Sequence, residues 1–385
     1  MRIFLSAGEP SGDVHGANLV RALKGRYPGL ECVGFGGDKM AAAGCRLIYP
    51  LCQLSVMWFA RVLAKAPTFL SLLSQADRLF RHQRPDAVVL IDYPGFNWWL
   101  ARRAHFHKIP VFYFVPPQLW GWAGWRVKKM RRFVDHVLCN LPFEETWYRE
   151  HGVQAHYVGH PYFDELPHQR LDSAFLAEQR SRPEEIIGFL PGSRTQEIEN
   201  NLSTMVRAAG IIHQERPDTR FLAACFRPAH KEMIDAYLAR HQQAPIETHV
   251  GRTPEIIELS RACMSVSGSV SLELLWRGKP SVMIYRIGRL DLVVGKFFKT
   301  CRYISLVNLL ADQELFPEFL TDHCEAQAIA GHILGWLEKP ETHAEVCREL
   351  ARLRRQVAQP GACDRAADFI LRNIGWNGQL TRRAA

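Results

Sequence analysis

From Ile3 to Val158, short apolar runs alternate with stretches of helical period, and the alternation starts afresh after Pro161. In the first half Ile3–Leu5, Cys32–Phe35, Ala87–Ile91, Val111–Val115, Val134–Cys139 and His156–Val158 read as strands. In the second, Ile186–Leu190, Arg220–Ala224, Glu247–Val250, Cys263–Val266 and Ser281–Tyr285 do the same. Each is followed by a polar or glycine-bearing turn, and most by a helix such as Gly16–Tyr27. Strands that alternate with helices lie parallel, with helices covering both faces of the sheet. A chain of 385 residues is too long for one ordinary core. The expectation is an α/β protein with two doubly wound parallel-sheet domains facing each other across a cleft. The polar, proline-bearing stretch Asp164–Glu185 marks their border. The division is then 1–165, 166–340 and a basic helical tail over 341–385, which packs on the first domain or exchanges with a second subunit.

The net charge of +9 points to an anionic partner: nucleic acid, a phospholipid surface or a phosphorylated substrate. The ten cysteines form no CxxC pair and read as reduced thiols of a cytoplasmic protein. His105 and His107 flank Phe106, but no second cluster supplies further ligands, so no metal is expected. No run of about 18 apolar residues is present to span a bilayer, and Met1-Arg2 leads straight into a strand rather than a secretory segment. Gly34-Phe35-Gly36-Gly37-Asp38-Lys39 partly matches a dinucleotide fingerprint, yet Lys39 takes the third glycine's place and the run follows the second strand, not the first. The chain also lacks a GxxxxGK[ST] sequence, which excludes a P-loop NTPase.

In open parallel sheets, ligands sit where strands end in loops that lead to helix N-termini. Three loops have suitable chemistry. Ser6–Asp13 brings small residues and Glu9. Leu190-Pro191-Gly192-Ser193-Arg194 offers a guanidinium fork suited to phosphate. Ser267-Gly268-Ser269-Val270-Ser271-Leu272-Glu273 opens a helix whose free N–H groups favour an anion at Gly268–Ser269. Glu273, one turn on, can accept from a ribose diol, while the plainer reading is an ordinary helix with Ser267 as N-cap.

Taken together, these loops resemble the lipid-A-disaccharide synthase family, glycosyltransferases of GT-B architecture with two Rossmann-like domains. The resemblance runs through nearly the whole chain. In the first half it includes Ser6–Glu9 with Ser11-Gly12-Asp13, Gly36-Gly37 with Met40 and Gly44, and Asp92-Tyr93-Pro94-Gly95-Phe96-Asn97. Leu119–Trp122, Leu141–Glu144 and Val158–Pro161 extend it. In the second half it covers Leu190–Arg194 with Glu197, Ser267–Glu273, Tyr285-Arg286, and Ile304–Leu306 with Asn308–Leu310. It implies an inverting transfer of 2,3-diacylglucosamine from UDP to 2,3-diacylglucosamine 1-phosphate, with no cofactor and no metal. It also implies that Arg194, Gly268, Ser269, Glu273 and Asn308 touch the UDP of the donor, while Glu9 and Ser11 face the sugars. The family's aspartate after the proline is Gly95 here, and a glycine cannot take a proton. The base then falls to Asp92, narrowly ahead of Glu9. Met57-Trp58, Arg61, Pro117-Gln118 and Thr321 are further departures, all but Thr321 in the acceptor half.

The diacylated substrate implies contact with an anionic membrane, as a cytoplasmic protein peripheral on the inner membrane. Val56–Leu73, and Trp120, Trp122 and Trp125 before Arg126–Arg132, supply apolar and basic groups of the right kind. No nucleic-acid module accompanies that basic run. A UDP-sugar epimerase or hydrolase of the same architecture, and a non-catalytic lipid or nucleotide-sugar binder, are the alternatives.

Overall fold

The computed structural model describes residues 1–54, 66–241, 243–266, 268–288 and 301–375. They form two compact units: Met1–Glu165 with the chain from Gln359 onward, and Leu166–Ala358.

The first unit holds seven parallel strands: β1 (Arg2–Ala7), β2 (Glu31–Phe35), β3 (Cys45–Tyr49), β4 (Ala87–Ile91), β5 (Val111–Phe114), β6 (His136–Cys139) and β7 (Ala155–Tyr157). Their order is β3-β2-β1-β4-β5-β6-β7. The second holds β8 (Glu185–Leu190), β9 (Thr219–Cys225), β10 (Ile246–Val250), β11 (Ala262–Val266), β12 (Ser281–Arg286) and β13 (Glu318–Thr321), ordered β10-β9-β8-β11-β12-β13. Both sheets are doubly wound, as the alternation predicts. The expectation misses β3 and β13, and both are edge strands. Arg46 of β3 is exposed and Glu318 of β13 half-buried, so neither carries the continuous apolar run that two covered faces impose on an inner strand. Inner β4, by contrast, is wholly buried at all five residues.

Strand β1 shows how the faces divide. Phe4 points into one core, edge-on to Phe35 and Phe80 with ring centroids 5.4 and 5.0 Å apart. Ile3 and Leu5 point into the other, with Leu19, Val20, Ile370 and Leu371. Period-two alternation in a strand buried on both sides thus serves two cores.

Two expected boundaries fall elsewhere. Asp164–Glu185 is not a bare linker, because it contains the helix Ser173–Arg180. The Asp172 carboxylate caps that helix, accepting from Ala174 N and Phe175 N at 3.0 and 3.1 Å. Wholly buried Arg220 holds the helix to β9 through the Gln179 side chain and carbonyl, at 2.5 and 2.6 Å. The tail is likewise not one piece. Its first helix, Pro340–Val357, belongs to the second unit, where Arg354 donates to the Trp276 carbonyl at 2.7 Å. The next helix, Ala362–Asn373, packs on Pro10–Arg26 of the first unit through Ala366, Ala367 and Ile370 and through ion pairs of Arg26 with Asp364 and Asp368. Asp164 receives the backbone N–H groups of Gly361, Ala362 and Cys363 at 2.6–3.0 Å, which seats the start of that helix.

Strand order reverses between β1 and β4 in the first sheet and between β8 and β11 in the second. Such switch points leave a crevice at the strands' carboxyl ends, and the loops singled out in the sequence follow these four strands.

Candidate functional site

At the first switch point Ala7 pairs with Ile91, so the loops after β1 and β4 leave the sheet side by side. They touch: a Cβ on Gly8 would lie 2.1–2.6 Å from the Tyr93 ring, so only glycine fits there. Asp92 and Tyr93 both have left-handed backbone, φ 45° and 47°. Successive non-glycine residues in that region cost about 1–3 kcal/mol each, so something must hold them. The holder is Asn97, wholly buried, whose amide donates to the carbonyls of Asp92 at 2.7 Å and Ile91 at 3.3 Å. Its oxygen receives the Ser6 hydroxyl at 2.8 Å, and the Tyr113 phenol donates to the Asp92 carbonyl at 2.7 Å. The Asp92 side chain is half-buried at the end of β4. Half-buried Glu9 is the N-cap residue of Pro10–Arg26, and Ser11 is exposed in that helix's first turn. The Tyr93 phenol is pushed up by burial and then by the Glu9 carboxylate. Burial likewise lifts the Cys52 thiol, which donates to the Ala7 and Glu9 carbonyls, to about 12.

Asp13, quoted with this loop, has a structural task. Its buried carboxylate accepts from Gly37 N, Lys39 N and Met40 N at 2.8–3.1 Å and so fixes the glycine turn after β2. Gly95 is different. A Cβ there would meet nothing within 4 Å, so the space for the family's aspartate side chain stands open.

The second switch point begins with Gly192, whose φ of 114° only glycine adopts easily. Arg194 is the N-cap residue of Thr195–Glu215. Glu197 closes a capping box around it. One carboxylate oxygen accepts from Ser193 N at 3.0 Å and Arg194 N at 3.2 Å, and the other pairs with Arg194 Nη1 at 2.8 Å. After β11, Gly268 and Ser269 lead into the helix Val270–Arg277. Ser269 takes the N-cap position without a side-chain cap bond, whereas Ser267, the expected cap, lies outside the described residues. Glu273 stands in the first turn, 3% exposed, and Arg277 Nε donates to it at 3.1 Å. The same guanidinium reaches Glu258 at 2.9 Å and Gln169 at 2.6 Å. Arg277 thereby ties Glu273 to Glu258 and Gln169.

Asn308, expected at the donor, is engaged within its own segment. It is wholly buried, donates to the Phe316 carbonyl and Glu318, and accepts from Leu315 N and Phe316 N, all at 2.7–2.9 Å. With its amide and oxygen engaged in this way, it shapes the segment Leu306–Glu318. Thr321 is also buried and accepts from His323 N at 3.1 Å. Among the described residues no group of three or more His, Cys, Asp or Glu side chains is placed to hold a metal, and His107 pairs with Asp77 at 3.1 Å.

The aromatic-basic surface is sorted more finely than the sequence allows. Trp120 is buried, its indole donating to Glu144 at 2.9 Å, so it is no interfacial group. Burial lifts the Glu144 carboxyl to about 7, against the N–H donors of Trp120, Leu141 and Asn140. Trp122 and Trp125 are exposed, beside exposed Lys128, Lys129, Arg131 and Arg132. Of Val56–Leu73, residues 56–65 lie outside the description; Leu72 is buried, Phe69 and Leu73 pack on the core, and Leu70 is exposed. A stripe the sequence reading passed over lies on Pro94–Phe106, where exposed Trp99, Arg102, Arg103 and Phe106 recur at helical spacing. Among the described residues no helix is long and apolar enough to cross a membrane.

A family profile described as lipid-A-disaccharide synthetase matches residues 3–372. A lipid-A-disaccharide synthase from Myxococcus xanthus is 35% identical over 96% of this chain and 97% of its own. Among solved structures, a UDP-GlcNAc 2-epimerase from Neisseria meningitidis bound to UDP-GlcNAc aligns with a TM-score of 0.64 at 13% identity, over 97% of this chain and 100% of that one. The Arabidopsis thaliana protein UGT89C1 aligns with a TM-score of 0.63 at 14% identity, over 97% of this chain and 98% of that one. At such identities the two structures share the fold alone, the two-sheet GT-B architecture.

Proposed function

This chain belongs to the lipid-A-disaccharide synthase family, and from that premise we propose how its two switch points divide the work. The protein is a glycosyltransferase that forms the lipid A disaccharide from a nucleotide-sugar donor and a lipid acceptor. The donor falls to the second unit. Gly268–Ser269 presents backbone N–H groups and Arg194 the free part of its guanidinium to the UDP diphosphate, and Glu273 accepts from the ribose. Charge that develops on departing UDP is met by these donors without a metal, which activity retained in a chelator would support. The first unit takes the acceptor. In an in-line inversion its hydroxyl attacks the anomeric carbon as the diphosphate leaves, and a carboxylate removes the proton. We assign that to Asp92, with Glu9 and Ser11 beside the sugars.

The observation that carries this reading is the placement of the Arg194 and Gly268–Ser269 turns on the two strands of one switch point. Calorimetry with UDP tests it, together with mass spectrometry of products from UDP-diacylglucosamine and diacylglucosamine 1-phosphate. Folded protein that shows no UDP affinity would overturn it. Trp99, Phe106, Trp122 and Trp125 with their neighbouring cations support a peripheral seat on the anionic inner membrane. Sedimentation with anionic vesicles, lost in high salt and with neutral lipid, is the expected result. Dimerisation by tail exchange is a further part of the proposal. Only Ala358–Gly361 connect the two tail helices, and the mass in solution decides it.

A further inference from the structure

We infer that Glu197 is a positioning residue for donor binding: it aims Arg194 and fixes the Gly192–Arg194 turn, without itself touching UDP. The inference rests on the donor assignment made above.

Three donors that would attract a phosphate at this helix start, Ser193 N, Arg194 N and Arg194 Nη1, already face the Glu197 carboxylate. Two roles fit that fact. Glu197 could be a placeholder that a diphosphate must evict, or a fixture that a diphosphate leaves in place. Its setting favours the fixture. The Glu197 side chain is 13% exposed, against 51% for Arg194, so the carboxylate lies inside and the guanidinium reaches outward. The turn is folded around the carboxylate: a Cβ on Gly192 would come within 2.7 Å of both its Cβ and Oε2. Behind it, the Asn201 amide donates to the Glu197 carbonyl at 2.7 Å, and the Asn201 oxygen receives Arg286 N at 2.8 Å, which ties the first turn to the end of β12. With its backbone held in this way, eviction of the carboxylate would take from Ser193 N and Arg194 N the group the turn is folded around. Glu197 occupies one N–H of a planar fork that carries five, and holding that edge turns the rest toward a ligand.

The experiment compares the full-length protein with Glu197→Gln, Glu197→Ala, Arg194→Ala and Arg194→Ala/Glu197→Ala. It measures UDP affinity by calorimetry, kcat and KM for the donor, and the thermal midpoint of each variant. A misaimed guanidinium predicts a loss of roughly 10- to 100-fold in kcat/KM for Glu197→Ala, with a smaller loss for Glu197→Gln, which keeps an oxygen for the fork. Once Arg194 is gone, removing Glu197 should cost less than about threefold more, because groups that act as a unit are not additive. A merely structural cap would lower the thermal midpoint and cost the same in either background, which would overturn the inference. Tighter UDP binding by Glu197→Gln would overturn it in favour of the placeholder. Wild-type UDP affinity in Arg194→Ala would instead remove the donor assignment on which both roles depend.

Discussion

At the first switch point the left-handed backbone falls on residues with side chains: Asp92 and Tyr93, with Val115 at φ 53° on the next strand. At the second it falls on Gly192, which adopts it at little cost. A β-branched residue such as Val115 in that region is a clear outlier, and the three non-glycine residues at the ends of β4 and β5 store several kcal/mol, by the usual cost of about 1–3 kcal/mol each. Asn97, Ser6 and Tyr113, all buried, hold Asp92 against it. The donor turns rest instead on a capping box and a guanidinium network. The lesson is that binding a diphosphate needs only backbone N–H groups and one aimed cation, which many sequences supply. On the proposed division of work, placing one carboxylate beside one hydroxyl is what the scaffold around Asp92 serves.

The sharpest way to break the contrast is to remove the carboxylates in turn. Asp92→Asn should lower kcat by about 10²–10⁴ with donor affinity unchanged, the range for a positioned base. Glu9→Gln should stay within tenfold, and the reverse ranking would move the base to Glu9. Next in size, Arg194→Ala should cost about 3–4 kcal/mol of transition-state stabilisation with the fold intact by circular dichroism. Wild-type turnover would leave the second unit without its assigned electrostatic role.

Acid should separate the units as well. In the first unit burial, and then His15, push the His160 imidazole down to about 3, from an ordinary value of 6.5. Its Nδ1 accepts from Tyr162 N at 3.2 Å, which needs the neutral ring. Between pH 6.5 and about 3 the unfolded chain then binds this proton and the native one does not, so stability falls as pH drops through that window. The slope is at most about 1.4 kcal/mol per pH unit, or roughly 2.7 kcal/mol at pH 4.5. Urea midpoints at pH 7 and 4.5 should show His160→Gln losing that share of the acid sensitivity. An unchanged pH dependence would mean that the ring is not held neutral. The smallest effect is expected of Gly95→Asp, where the side chain enters open space in the first turn of a helix and should add about 0.3–1 kcal/mol of stability. Turnover within a fewfold of wild type is the expected result. A rise of tenfold or more would show that the acceptor half lost its base rather than reassigned it.

Much of this was legible in the chain. Apolar runs flanked by turns revealed every strand but β3 and β13, two of the four edge strands, since only a strand covered on both faces must be apolar throughout. The loops at the switch points were legible because such places draw short, glycine-bearing turns. What stayed hidden was which motif residues touch ligand and which hold the loops. Asn97, Glu144, Glu197 and Arg277 lie inside or next to quoted motifs, yet a carboxylate that caps a turn and one that meets a sugar look alike in sequence. Asn308 and Trp120 were hard to place for the same reason. Each is polar or amphipathic, but partners 7–10 residues on for Asn308 and 24 residues on for Trp120 leave it buried. The exposed Trp99–Phe106 stripe was missed because it shares a helix with the buried residues Phe96, Trp98 and Leu100.

The helix Ala362–Asn373 completes a core begun more than three hundred residues earlier, by β1 and the helix Pro10–Arg26. During synthesis the earlier helix therefore leaves the ribosome with a bare apolar flank, and this flank waits while the entire second unit is made. The half of the molecule translated first is then the half that matures last, and in the interval that flank is open to chaperones and to the closing helix of a neighbouring copy.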